Sequence, residues 1–159
     1  MAKKVVGKFS LKILIVSLLI VFSIGFIGSI FTSGQTSSNW YNSIRPIITP
    51  PNFVFPIVWN VLFFLIGVSL YFTWVNSNGK EKKKVAIVFG LNFVLNILWS
   101  VFYFYLHNPI LSFIDIILLE ISIGILIYTS YKISRKAGYL LVPYFIWVMF
   151  ATVLNWLSI

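Results

Sequence analysis

The sequence predicts an all-α membrane protein, a bundle of five transmembrane helices with the N-terminus cytoplasmic and the C-terminus outside. Three observations carry this prediction. Of the 159 residues, 60% are hydrophobic and only 9% are charged, and a soluble domain of that size would have to show much of this apolar surface to water. The apolar residues gather into five runs, each near the roughly 20 residues that a helix needs to cross a bilayer. The basic residues fall between the runs, as topology signals do.

The chain reads as one domain, 1–159, with helices at about 11–31, 54–76, 85–106, 110–131 and 139–158. The first helix opens after Lys3, Lys4, Lys8 and Lys12. Such a start also fits a cleaved signal peptide, with Gly28, Ser29 and Ser33 as the small residues, but the run is longer than an ordinary signal core. A loop over 32–53, rich in Ser, Thr and Pro, follows as a lid. It ends in "PPNFVFPIVWN", where Pro50 and Pro51 forbid the helix that the following residues favour, so the chain has a stiff elbow there. Pro56, Pro109 and Pro143 sit near helix starts, where a missing N–H costs nothing. "SNGKEKKK" joins the second and third helices, "HNP" the third and fourth, and "KISRKAG" the fourth and fifth.

Five crossings place eleven of the twelve Lys and Arg residues on one side and leave Arg45 alone on the other. That asymmetry orients the bundle by the positive-inside rule. It also accounts for the net charge of +9 without a nucleic-acid surface, so no nucleic acid is expected as a partner. The lack of cysteine excludes disulfides and thiolate metal sites. A multi-pass protein of the cell membrane is expected if the source is bacterial or archaeal.

Within the bilayer the informative residues are the polar ones. Asp115 and Glu120 lie inside the fourth run, where a charge costs at least about 2.5–3.5 kcal/mol. They must face protein or water, be paired, or carry a proton. Arg45 is the only basic candidate to pair with Asp115. Five residues apart, the two acids point about 140° away from each other, so they form no acid/base pair on one face. Glu120 is either a neutral acid bonded to a neighbouring helix or a coupling group for protons.

Asn92, Asn96 and Trp99 share one face of the third helix. One Asn is ordinary interhelical glue; two on a stripe with Trp suggest a polar wall for a ligand. On the fifth helix Tyr144, Trp147, Ala151 and Asn155 form a similar stripe. Ala151 beneath Trp147 leaves either a close helix contact or a notch for a guest. Trp59, Phe63 and Gly67 again set bulk over a small residue. Trp40, Trp74 and Trp156 fit the interfacial belt, while Trp59, Trp99 and Trp147 lie deeper. Deep, polar-tipped aromatic groups suit a flat conjugated ligand. Phosphate-loop and His/Cys metal patterns are missing, and the single His107 reads as a solvated turn residue. No metal site and no cofactor is expected, and enzyme activity is not the first expectation. Leu126, Tyr128 and Lys132 meet the loose cholesterol pattern, which an interfacial Tyr beside a snorkelling Lys explains equally well.

The segments "WYNSIRPIITPPNFVFPIVWNVLF", "LNFVLNILWSVFYF", "FIDIILL" and "LLVPYFIWVMFATVLNW", in this order and spacing, resemble the translocator protein or tryptophan-rich sensory protein family (TspO, peripheral-type benzodiazepine receptor). The resemblance runs from about Asn39 to the end. It implies a five-helix bundle, usually a homodimer, with a pocket under the first loop that binds porphyrins such as protoporphyrin IX. Sterol and isoquinoline-type ligands are bound by some members. Position by position, it assigns ligand-binding roles to Trp40 and Tyr41 of the lid, Trp59, Asn92, Asn96, Trp99, Asp115, Trp147 and Ala151. Asn60 stands where many members have Thr. The chain stops at Ile159 without the tail that carries the sterol motif in animal members, which puts sterol binding there in doubt. The function expected is that of a porphyrin-binding sensory or translocator protein. Transport of amphipathic molecules, with Glu120 coupling protons, and light-dependent porphyrin degradation at Trp59 and Trp147 are the alternatives.

Overall fold

The computed structural model describes residues 9–159. Lys3, Lys4 and Lys8, which the orientation argument uses and with which the signal-peptide alternative begins, lie outside the described residues. The helices are α1 (Leu11–Thr32), α2 (Asn39–Ile44), α3 (Val54–Val75), α4 (Gly79–Ser100), α5 (Pro109–Ile133), α6 (Arg135–Leu140) and α7 (Val142–Trp156). A 3-10 turn, Gln35–Ser37, precedes α2, and a π-helical turn, Val101–Tyr105, continues α4. Among the described residues there is no strand, and five spans are long and apolar enough to cross a membrane: α1, α3, α4 with its π turn, α5, and α6 with α7.

Two boundaries differ from the sequence reading, each for a local reason. The third span begins at Gly79, inside the segment read as a loop. Asn78 caps it, its side-chain oxygen accepting from the backbone N–H groups of Lys80 and Glu81 at 3.1 Å. The Glu81 carboxylate accepts in return from the Asn78 N–H at 2.8 Å. This reciprocal box starts the helix before the apolar run does, so the lysines ride on its first turns, where they reach toward the interface. The loop expected between the fourth and fifth spans shrinks to Ser134, because α5 runs to Ile133 and α6 starts at Arg135. The corner closes this tightly because Gly138 has no side chain. A Cβ there would lie 2.6 Å from the Tyr131 Cβ and 2.9 Å from its Cα. The lid, read as loop, contains α2, capped by the Ser38 hydroxyl accepting from the Tyr41 N–H at 3.1 Å.

The helices close into a ring. α1 packs on α3 and α4, α4 on α5, α5 on α6 and α7, and α6 on α3. Lipid tails are as apolar as Leu, so close packing and hydrogen bonds must hold such a ring together. Gly67 lets the Leu18 side chain of α1 press onto α3, where a Cβ would meet the Leu18 Cδ2 at 2.7 Å. The Ser69 hydroxyl donates to the Ala137 carbonyl at 2.9 Å, joining α3 to α6. Val21, Ile66, Phe89, Ile123 and Leu141 fill the centre of this end. Leu19, Ile57, Ile87, Leu118 and Ile146 are exposed on the outside, as a lipid-facing surface requires.

The two ends of the bundle carry different chemistry. At one end the start of α1 meets the end of α3, with Ser10 N–H donating to the Tyr71 hydroxyl at 3.2 Å. Lys82 lies 5.5 Å from the Trp74 ring and Lys132 lies 5.4 Å from the Tyr128 ring, the position of interfacial Lys–aromatic pairs. The lid occupies the other end.

Candidate ligand cavity under the first loop

α3 packs against α6 but scarcely touches α7. The two halves of the ring therefore part toward the lid, and a cavity of about 660 Å³ lies between them. That volume is in the range of small-molecule sites. The first half of α3, the ends of α1 and α4, and the length of α7 beyond Pro143 supply most of its wall. Among the described residues no charged side chain lines it.

The indoles form its sides. Trp59 lies edge-on to Tyr144, with ring centroids 6.1 Å apart, and tilts over Phe63 at 5.3 Å. Trp147 meets Phe55 edge-on at 5.9 Å. Trp99 stacks on Tyr103 at 5.3 Å and 18°, and its indole N–H donates to Asn155 Oδ1 at 3.0 Å. Asn155 Nδ2 in turn donates to the Pro109 carbonyl at 2.9 Å. The Trp99 face is thereby locked while its polar atom is already satisfied. Such preset aromatic walls bind a flat ligand with little ordering cost.

The π turn shapes the lid end. Leu106 N–H reaches back five residues to the Val101 carbonyl at 2.8 Å, and the widened turn buries both Tyr103 and Phe104. Tyr41 of α2 packs on Phe104 at 5.8 Å, and Trp40 packs edge-on to Tyr103 at 5.7 Å. His107 follows with φ 50°, a left-handed turn that His, like Asn and Asp, adopts more readily than other non-glycine residues. It is exposed, as expected of a solvated turn residue, yet it stacks on Trp40 with centroids 4.2 Å apart.

Six of the nine residues singled out from the sequence line this cavity: Tyr41, Trp59, Asn96, Trp99, Trp147 and Ala151. Ala151 borders the cavity and also packs against the core of the bundle. Trp40, Asn92 and Asp115 stand outside the wall. Trp40 braces the lid from behind, between Tyr103 and His107. Asn92 is buried in an interhelical network, where its Nδ2 donates to Ser122 Oγ at 2.9 Å and its Oδ1 accepts from the Tyr144 hydroxyl at 3.3 Å. Asn96 Nδ2 donates to that same hydroxyl at 3.2 Å. The two asparagines share a stripe but serve different tasks, since only Asn96 is high enough to meet the cavity.

Asp115 is 4% exposed, and its Oδ2 has no hydrogen-bond partner. Arg45, the one basic candidate to pair with it, turns its guanidinium to lid acceptors at Thr49, Pro50 and Asn52 instead. Both carboxyl oxygens of Glu120 are buried without a partner and also lie away from the cavity. Several lining residues went unselected from the sequence. Ser29, Thr32 and Ser33 near the end of α1 form a hydroxyl rim, and Thr49 and Asn52 belong to the roof. The Gly25–Gly28 spacing beside those hydroxyls was the available signal for α1; the roof residues had none, since loop residues carry no periodicity.

Residues 16–158 match the model of the TspO/MBR family. The chain is 42% identical over 143 residues to "Tryptophan-rich protein TspO" of Archaeoglobus fulgidus, covering 89% of this chain and 92% of that protein. It is 31% identical over 137 residues to "Protein CrtK" of Rhodobacter capsulatus, covering 82% and 81%. It is 30% identical over 135 residues to the human "Translocator protein", covering 82% and 79%.

Proposed function

The chain belongs to the TspO/MBR family of multi-pass membrane proteins, and on that premise we propose that it binds porphyrins such as protoporphyrin IX in a sensory role, in the cavity under its first loop. One observation carries the reading: three indoles, Trp59, Trp99 and Trp147, wall an uncharged 660 Å³ space roofed by a folded lid. A tetrapyrrole is a large, flat, polarisable ring with most of its surface apolar, and aromatic faces stack on it favourably. The bundle is oriented with the start of α1 and the α3–α4 and α5–α6 connections in the cytoplasm. The cluster of Lys80, Lys82, Lys83 and Lys84 with Lys132, Arg135 and Lys136 at one end supports this orientation.

The test is a titration of the purified protein in a non-ionic detergent with protoporphyrin IX, read by tryptophan quenching and repeated with Trp59→Phe. Saturable binding that weakens roughly tenfold in the variant, about 1.4 kcal/mol of lost contact, supports the reading. Quenching that does not saturate and is alike in both proteins means partition into the micelle, and removes it.

A further inference from the structure

The cavity wall is uncharged, but its roof holds a cation with no ionic partner among the described residues. Arg45 follows α2 directly, and four residues that line the cavity surround it in sequence: Tyr41, Pro46, Thr49 and Asn52. Its Nη2 donates to the Thr49 and Pro50 carbonyls at 3.4 and 3.3 Å, and its Nη1 donates to Asn52 Oδ1 at 3.4 Å. A charged donor on a well-matched acceptor sits at about 2.7–2.9 Å, so these are loose contacts to neutral oxygens. The Tyr41 ring centroid lies 6.0 Å from the guanidinium carbon. The chain has three acids, and none is spent on Arg45. Glu81 caps α4 at the opposite end, while Asp115 and Glu120 are buried in α5.

A second, independent observation lies beside it. Thr49 lines the cavity and is 8% exposed, and its hydroxyl has no hydrogen-bond partner. A buried hydroxyl without a partner is costly to keep, and here it belongs to a residue of the cavity lining. The Asn52 amide donates to the Thr36 carbonyl at 3.1 Å, which holds the roof segment against the turn before α2.

We propose that Arg45 and Thr49 form an anion-anchoring subsite in the cavity roof, which takes a carboxylate carried on the edge of an otherwise apolar, planar ligand. The guanidinium offers a planar fork that matches a carboxylate. The three long contacts it now makes give way to shorter, charge-assisted ones, and a small turn of the Thr49 side chain brings its unpartnered hydroxyl in as a second donor. This deepens the tetrapyrrole reading and rests on it for the occupant, since a porphyrin's propionates are such edge carboxylates. It also gives the site a sense of direction: the ring enters between the indoles and the acid groups stay under the lid.

The test compares pyrenebutyric acid with its methyl ester, a pair with the same planar ring in which a methyl group caps the carboxylate and removes its charge, on the full chain in non-ionic detergent. The parent is expected to bind the acid roughly tenfold or more tightly than the ester, as a hydrogen-bonded charge implies. Arg45→Gln should bring the two within about twofold by weakening the acid and sparing the ester. Should Arg45→Gln disturb the lid and weaken both, Thr49→Val, which keeps the shape, carries the test with a loss of roughly threefold to tenfold in acid preference. Equal affinities in the parent, no saturable binding of the acid, or a preference that survives both changes overturns the subsite. A parallel titration with protoporphyrin IX and its dimethyl ester separates the two claims. Acid preference for the pyrene pair without porphyrin binding keeps the subsite and removes the tetrapyrrole. Saturable porphyrin binding without acid preference in either pair does the reverse.

Discussion

Tyr144 shows how one residue divides the polar stripes between support and site. Its hydroxyl donates to Asn92 and accepts from Asn96, so α4 and α7 are joined immediately beneath the cavity. Asn92→Leu deprives both Tyr144 and Ser122 of a partner. Interhelical bonds in membranes average about 0.6 kcal/mol and reach about 1.7 kcal/mol, so the variant should unfold about 1–2 kcal/mol more easily in a denaturing-detergent titration. Its ligand affinity should stay within about twofold, since Asn92 stands outside the wall. Ala151→Leu should do the opposite: it fills the notch beneath Trp147 and weakens ligand binding roughly tenfold or more, with stability nearly kept. At the lid, burial raises the Tyr41 phenol above its ordinary value of 10.0, and the Arg45 cation opposes that rise. The fold thus holds this proton more tightly than the unfolded chain, a contribution present below about pH 10 and lost as pH climbs through the raised value. Arg45→Gln removes the opposing charge, so the Tyr41 titration should move higher still. Difference absorbance at high pH, with Tyr41→Phe as the reference, reads that shift.

Elements join through glycines whose replacements should behave differently. Gly138 lies against the backbone of Tyr131 at the α5–α6 corner, and a backbone atom cannot step aside as a flexible side chain can. Gly138→Ala should cost about 1–3 kcal/mol, the usual range for overpacking, and lower the thermal midpoint in detergent. Gly90 and Gly124 have nothing within 4 Å of the place a Cβ would take. Alanine there should be neutral or slightly stabilising, because it only raises helix propensity. At the third span the charges of "GKEKKK" mask a helix start that the Asn78–Glu81 box sets. A hydropathy reading places the boundary where the apolar run begins, six residues late, because capping is read from hydrogen bonds and not from polarity.

At the scale of the whole molecule, the cavity exists because α3 leans on α6 and leaves α7. Its closed base is the well-packed end, with Val21, Ile66, Phe89 and Leu141, and its open half is capped by the lid. The same polarity sorts charge among the described residues, with basic clusters at the base and Arg45 the one cation at the roof. The chain has no cysteine, so single replacements report cleanly on orientation. Ser37→Cys, in the lid, should react with an impermeant thiol reagent on intact cells. Ser134→Cys, at the α5–α6 corner, should react only after lysis. The reverse pattern would turn the bundle over and leave the cavity facing the cytoplasm.

Composition and the places where Lys and Arg interrupt the apolar runs are enough to specify the solvent, the number of crossings and which connections carry the basic residues. The sequence also marked most of the indole wall, since Trp59, Trp99 and Trp147 sit deep in helices on stripes that must share a face. That Asn96 meets the cavity while Asn92, one turn away, is consumed by Ser122 and Tyr144 emerges only from the packing of the helices. From the same packing it follows that Asp115 goes unpaired by Arg45, and that Thr49 and Asn52 join the roof. The reason is physical. A stripe on one helix fixes direction but not depth against its neighbours, and a loop has no period, so the partners of polar groups are settled only when the ring of helices closes.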